Sequence, residues 1–560
     1  MNNFFSEKRW FDVAWLTIVI VIANVCFLGR PAFFSPDEGR YAEIAREMLT
    51  SHQFLIPHLD GIIYLEKPPL SYWVNAGAIQ LLGESEWAVR SVVALSGLLG
   101  CLASYLIARK LFNRRVGILS AFILSSSTLY FIMSHAVTTD MLLTLFLTSS
   151  LYSFLWALQQ PATTRQRRWL WVAYLFSGLA VMTKGLIGLV FPVLIIMFWI
   201  AITKRWFLLR EMRLFSGALI IAILNFPWLV AIQKQVPDFF HFYFIEQHIA
   251  RYATPIAHRE MALGTYILVF LCGLFPWIVW LPQNIKQVWR ASDSDRFAKA
   301  NLLYLLLWPS VILLFFSASH SILVPYLLPV LPPVAMLIGL YMDNVWEKKL
   351  DQSQRMSVML FALICGMSGF SLLLLPYVHP LMGVRVAGDH YFIAIAASVF
   401  IAGAIAALFV AYRGLMCHVF TIMLCASYLS LIFLWGGASS ANERSIKPLA
   451  LMIKSLLIKN PEAMVVNYGD YHQELPYYTQ RLVMIVGWKN ELTFGFEHQK
   501  AARHQLIESP RFWQLWHSKQ RLYVVMGAKS YATHCHQEQR HCYFIAQTAN
   551  DVLISNMAVF

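Results

Sequence analysis

The chain has 560 residues, of which 58% are hydrophobic and 13% charged, whereas a soluble domain carries about 25% charged residues. An ordinary soluble enzyme is excluded. The formal charge of +14, from 44 Lys plus Arg against 30 Asp plus Glu, would suggest nucleic acid in a soluble chain, but in a membrane protein it reads as the excess of Lys and Arg in cytoplasmic loops.

A helix needs about 20 apolar residues to cross a hydrocarbon core. Such runs occur at about 13–29, 91–108, 116–133, 141–158, 169–182, 186–203, 214–232, 261–281, 301–318, 322–341, 356–377, 391–411 and 415–435. That predicts a polytopic α-helical membrane protein of about thirteen spans, of which 169–182 is the shortest. The first run lacks a small-residue cleavage site and is read as a retained span. With the N-terminus cytoplasmic, every second connection carries a basic cluster: Lys8 and Arg9, then Arg109 to Arg115, Arg165 to Arg168, Lys204 to Arg213, Lys286 to Lys299, Lys348 to Arg355, and Arg413. The alternation fixes the expected topology. The division that follows is a transmembrane domain, 1–438, with external loops 30–88 and 233–260, and a C-terminal external segment, 439–560.

In the first loop the charge balance reverses to acidic, and a loop of that length is a candidate working surface. Ser35-Pro36-Asp37-Glu38 has the pattern of a capping box, predicting a helix to about Leu49 with Ser35 as its cap. Asp37 and Glu38 are then either first-turn acids favoured by the helix dipole or functional groups. The closeness of Asp37 to a span end favours function, since a carboxylate beside lipid headgroups needs a reason. Further on, Tyr64-Leu65-Glu66-Lys67-Pro68-Pro69 presents Glu66 and Lys67 on a backbone stiffened by two prolines; the alternative is a solvated pair before an aromatic belt. Asp140 and Lys184 fall at span boundaries facing the same side, where an N-cap and a snorkelling anchor are the bland readings. In the second loop His248 and Arg251 share a helix face. Together with Lys67 and Lys184 they would gather several cations at one membrane-surface cavity, chemistry suited to a phosphate. No Gly-rich nucleotide loop precedes a strand in the membrane part.

The last 120 or so residues alternate β-rich runs (463–466, 482–486, 522–526, 543–546) with helical stretches near 497–507 and 511–519, predicting a small α/β domain. Cys535 and Cys542 flank a polar stretch there, the setting of a disulfide. His534, His536 and His541 also allow a zinc reading, although their spacing matches no standard site.

Asp37-Glu38-x-Arg40-Tyr41-Ala42-Glu43, Pro57-His58-Leu59, Tyr64-x-Glu66-Lys67-Pro68, Val181-Met182-Thr183-Lys184-Gly185, His248-x-x-Arg251 with His258 after it, and Tyr326-x-Leu328-Pro329 together resemble the bacterial 4-amino-4-deoxy-L-arabinose (lipid A) transferases. These belong to the protein O-mannosyltransferase-like branch of the GT-C membrane glycosyltransferases. The resemblance runs from about Ser35 to Pro333. It implies an inverting transfer from a polyprenyl-phosphate sugar donor to a lipid or lipopolysaccharide acceptor at the periplasmic face of the inner membrane. It also implies that Asp37, Glu66, Lys67 and Asp140 line the catalytic cavity and that Arg40, Tyr41, Tyr64, Lys184, His248, Arg251 and Tyr326 surround the lipid phosphate. No cofactor is required on this reading; a divalent metal among the carboxylates is an alternative that the adjacent lysine and arginine make unnecessary. Where the arabinose transferases commonly carry a lysine-rich Ser-Lys-Ser-Lys-Leu-Pro-Thr-Tyr stretch, this chain has Ser319-His320-Ser321-Ile322-Leu323-Val324-Pro325-Tyr326. Two cations are absent, which leaves open another sugar such as a hexose, or a protein acceptor, within the same donor class. A lipid-linked sugar carrier that binds but does not transfer is the reading from another class.

Overall fold

Each of the apolar runs folds as helix in the computed structural model, which describes the backbone of residues 2–254, 262–290, 296–378, 390–441, 445–538 and 541–559. Among the described residues eight helices are long and apolar enough to cross a membrane, and a ninth span arises if Gly264–Gly273 and Trp277–Gln287, bent by 100°, are counted as one. The chain is a multi-pass membrane protein. The remaining runs of the thirteen correspond to Asn2–Val25, Arg114–Ser126 followed by Thr128–Met133, Thr164–Lys184 and the shorter Ile187–Thr203. The break at Ser127 has a local cause. The hydroxyls of Ser125, Ser126 and Ser127 all turn back to carbonyls four residues earlier, competing with the helix ladder.

The first loop is ordered by its acids. Its main helix, Asp37–Ser51, starts with Pro36 at the cap position and no side-chain cap bond. The capping box expected from Ser35 is thus corrected: Glu38 does reach back to a backbone N–H, but that of Phe34 at 2.8 Å. The same carboxylate accepts from Val137 N–H and from Arg90 Nε and Nη2. Arg90 is fully buried and also donates to the carbonyls of Leu28, Pro31 and Ala32. A charged group there is tolerable only because every donor is used. A short hairpin, β1 (His58–Leu59) and β2 (Ile62–Ile63), follows, and the helix Leu70–Leu82 leads on to the span Glu86–Leu111.

In the C-terminal segment β3 (Met464–Tyr468), β4 (Val483–Val486), β5 (Leu506–Ile507), β6 (Leu522–Gly527), β7 (Tyr543–Gln547) and β8 (Asp551–Ser555) form one mixed sheet in the order β5-β4-β3-β6-β8-β7. β5, β4, β3 and β6 are parallel, while β8 pairs antiparallel with β6 and β7. The helical stretch expected near 497–507 is shorter than its pattern implies, since 500–504 is a 3-10 turn that feeds β5. Cys535 and Cys542 are joined by a disulfide.

Side chains alternate across the sheet with period two. Val466, Val524, Met526, Val552 and Ile554 pack on Phe512 and Trp516 of the helix Ser509–Trp516. Val465, Tyr523, Val525 and Leu553 face the other way, into a core shared with Phe33, Tyr41, Ile44, Met48 and Ile62 of the first loop. The sheet therefore sits on the loop. Under it lies a buried acidic knot: Glu43 pairs with Arg46 at 2.7 Å, Glu47 accepts from Asp60 N–H and Gly61 N–H, and Asp60 accepts from Val483 N–H of β4 at 2.7 Å.

Candidate active site

Two segments of the first loop, one of the second loop and the segments of Asp140, Lys184 and Tyr326 converge on one site. Asp37, Arg40 and Tyr41 come from the first turns of the Asp37–Ser51 helix, where Asp37 is half exposed and Arg40 buried. The Arg40 guanidinium is held on two sides: Nε donates to Gln473 Oε1 at 2.6 Å and Nη1 to the Tyr64 hydroxyl at 3.2 Å. Nη2 lies 3.3 Å from Asp37 and 2.9 Å from Glu491. Tyr41 stacks on Tyr72, and burial, with Asp37 close by, pushes its phenol well above the ordinary range.

Glu66 and Lys67 occupy the irregular stretch between β2 and the helix Leu70–Leu82, whose cap is Pro69. The expected alternative, a solvated surface pair, is excluded by the burial of Glu66. Its carboxylate lies 3.4 Å from Arg251 Nη1, which donates to Gln247 Oε1 at 2.9 Å. Burial first, and the positive Arg251 next, pull the Lys67 ammonium down to about 7, against the opposing charge of Glu66. Two cations and one carboxylate thus face each other with a positive charge in excess, the state an anion would relieve.

Asp140 and Lys184 form a buried ion pair. Asp140 opens the helix Thr139–Ala157 behind the cap Thr138, and Lys184 closes the helix Thr164–Lys184. The Lys184 ammonium stands 4.4 Å from the centre of the Tyr326 ring. Gly185 ends that helix at φ +96°, a conformation that favours glycine, and any Cβ there would collide with His248 Nε2.

His248 departs from the sequence reading. It was expected to add positive charge, but Leu186 N–H donates to its Nε2 at 3.3 Å, which puts the proton on Nδ1, 2.6 Å from the Tyr243 carbonyl. Burial pulls its pKa down to about 4. It is a neutral strut tying the second loop to the Gly185 turn. His258 lies outside the described residues.

All the site residues expected from sequence fall within one electrostatic neighbourhood. Lys67 senses Arg251, Glu66, Lys184 and Asp140; Tyr41 senses Asp37, Arg40, Asp140 and Glu66; Arg251 senses Glu66, Tyr326 and Tyr64. Two further residues, Gln473 and Glu491, reach in from the C-terminal domain, and no local sequence signal marks them. Beside Glu66 opens a cavity of about 400 Å³ lined by Glu246, Gln247, Asn490, Glu491 and Phe494 among others. An apolar cleft of about 310 Å³ runs from Pro68 along Val181, Leu186, Ile221 and Trp228. A polar chamber and an apolar groove thus meet at the Glu66-Lys67-Pro68 turn.

A family model described as dolichyl-phosphate-mannose-protein mannosyltransferase matches residues 13–243, and one described as aminoarabinose transferase C-terminal domain matches residues 449–556. The undecaprenyl phosphate-alpha-4-amino-4-deoxy-L-arabinose arabinosyl transferase of Edwardsiella ictaluri (strain 93-146) is 32% identical over 389 residues, 68% of each chain. The chain belongs to this arabinosyl transferase family. The match to the Proteus mirabilis (strain HI4320) member is 34% identical and spans 58% of that protein's length. Similarity to the family extends over the whole fold in the crystal structure of ArnT from Cupriavidus metallidurans bound to undecaprenyl phosphate, with a TM-score of 0.84, 27% identity and coverage of 98% of both chains. The apo form of that transferase gives a TM-score of 0.83 at 26% identity, covering 99% of this chain and 98% of its own.

Proposed function

We propose that this protein is an inverting glycosyltransferase of the inner membrane that moves 4-amino-4-deoxy-L-arabinose from undecaprenyl phosphate to lipid A on the periplasmic side. The observation that carries the reading is the meeting of the Lys67–Arg251 cation pair with the apolar cleft from Pro68 to Trp228, in a chain whose fold matches a family member holding undecaprenyl phosphate. The cleft suits a polyprenyl tail and the cations its phosphate.

On this reading an oxygen of the acceptor attacks the anomeric carbon from the face opposite the donor phosphate. The bond from that carbon to the phosphate oxygen breaks, and its electron pair leaves with undecaprenyl phosphate. Lys67 and Arg251 neutralise the departing charge. An ionised phosphate acceptor needs no base, and Asp37 then orients the acceptor; a hydroxyl acceptor would give its proton to Asp37. Glu66 holds Arg251, Asp140 holds Lys184, and Tyr326 flanks Lys184. The basic connections then lie in the cytoplasm and the sheet domain in the periplasm, which agrees with the Lys and Arg distribution.

Mass spectrometry of lipid A from cells with and without the gene tests the proposal. The expected result is an aminoarabinose adduct that depends on the gene and is lost in Lys67→Ala. Lipid A of identical composition in both strains, with the protein present in the membrane and donor available, would overturn it. Asp37→Asn separates enzyme from carrier: a transferase loses transfer while keeping undecaprenyl phosphate binding.

A further inference from the structure

The geometry points to Gln473 and Glu491 of the C-terminal domain as positioning residues for Arg40, so that the sheet domain completes the donor-phosphate site; the inference builds on the transferase reading above.

Two of the three Arg40 nitrogens have a defined partner. Gln473 takes Nε and Tyr64 takes Nη1. Nη2 makes no hydrogen bond although it is buried, even with Asp37 and Glu491 at ion-pair distance. A buried N–H edge that is only poorly aligned with its neighbouring carboxylates carries a cost, and a phosphate oxygen is an acceptor that a guanidinium edge fits well. That edge lies beside Glu491, which itself borders the polar cavity shared with Glu66. Gln473 and Glu491 act as a unit, since Gln473 Nε2 donates to Glu491 Oε2 at 3.4 Å. One end of Gln473 thus fixes the guanidinium while the other end fixes the carboxylate beside it.

The chain reaches this position through a close backbone approach. A Cβ on Gly39 would stand 2.5 Å from Glu474 Cβ and 2.7 Å from Glu474 N. Glycine at 39, next to Arg40, therefore lets the residue after Gln473 lie directly on the helix. The contact is reinforced by Lys447 to Glu86 at 2.5 Å and by the Tyr478 hydroxyl, which accepts from Phe33 N–H at 3.0 Å. The sheet domain is held in register with the arginine it orients.

The test uses full-length protein in lipid nanodiscs, reading steady-state transfer to lipid A and direct binding of undecaprenyl phosphate. Gln473→Leu and Glu491→Leu are expected to raise the KM for the lipid-linked donor roughly tenfold, the loss of one charge-assisted hydrogen bond, with a much smaller change in kcat. Glu491→Gln, which keeps an acceptor beside Nη2, recovers most of the loss. In an Arg40→Lys background Gln473→Leu adds nothing, because its effect passes through the guanidinium. Gln499→Leu removes a different contact between sheet domain and loop, the bonds to Ile63 N–H and the Gly61 carbonyl, and leaves the donor KM unchanged. An unaltered donor KM in Gln473→Leu, full additivity with Arg40→Lys, or an equal KM rise in Gln499→Leu overturns the assignment. If the wild type transfers no aminoarabinose while Gln473→Leu still weakens undecaprenyl phosphate binding, the sugar assignment fails and the positioning role stands.

Discussion

Lys67 is poised at the edge of ionisation. Its pKa is pulled to about 7 by burial and by Arg251, so below neutrality the ammonium is present to attract a phosphate and above it the attraction fades. Undecaprenyl phosphate affinity is therefore expected to fall as pH rises from about 6 to 8; Lys67→Arg, charged throughout, should bind with a flat profile, and a flat wild-type profile would contradict this. The pair Asp140–Lys184 makes a different prediction. Asp140→Asn leaves a buried ammonium without its counter-charge, at a cost of about 3–5 kcal/mol, read as a lowered melting temperature. Adding Lys184→Met should restore the melting temperature but not transfer. At this scale much of the site was legible, because Asp37, Glu66, Lys67 and Arg251 sit in short patterns whose chemistry is local. His248 misled, because which of its nitrogens carries the proton depends on the backbone of Leu186 and Tyr243. Gln473 and Glu491 gave no signal at all, being ordinary polar residues more than 400 positions from the arginine they touch.

Elements meet at turns that admit one residue type. Gly185 ends the helix of Lys184 with a positive φ and sits against His248. Gly185→Ala should therefore displace the His248 strut and the Arg251 segment behind it, lowering donor affinity by at least about tenfold in a nanodisc binding assay while the spans still insert. Wild-type affinity in that variant would show that the second loop tolerates the shift. Among the described residues each helix long and apolar enough to cross a membrane falls on one of the apolar runs, because length and hydropathy suffice for a span. They did not foresee the bend of 100° between Gly264–Gly273 and Trp277–Gln287, which depends on packing. The two-residue strand β5 and the strand β8 were also absent from the sequence reading: β5 is too short to show a period, and the apolar run of β8, Val552 to Ile554, spans only three residues.

Across the whole molecule, the first loop and the sheet domain share one apolar core with an acidic knot inside it. Burial raises the pKa of Glu43, against Arg46, and raises those of Glu47 and Asp60 well above the ordinary range, where neighbouring carboxylates add to the effect. The folded state then holds more protons than the unfolded one, so stability is greatest in acid and declines as pH rises from the ordinary carboxylate range towards the raised values. The melting temperature is expected to drop as pH rises above the ordinary carboxylate range, and Glu47→Gln to flatten that slope; a melting temperature independent of pH would refute it. The absence of any side chain at Gly39 has a practical consequence for anyone recombining family members. A sheet domain transplanted alone would meet a foreign helix at its tightest contact, so a working hybrid must exchange residues 30–88 and 439–560 as one cassette.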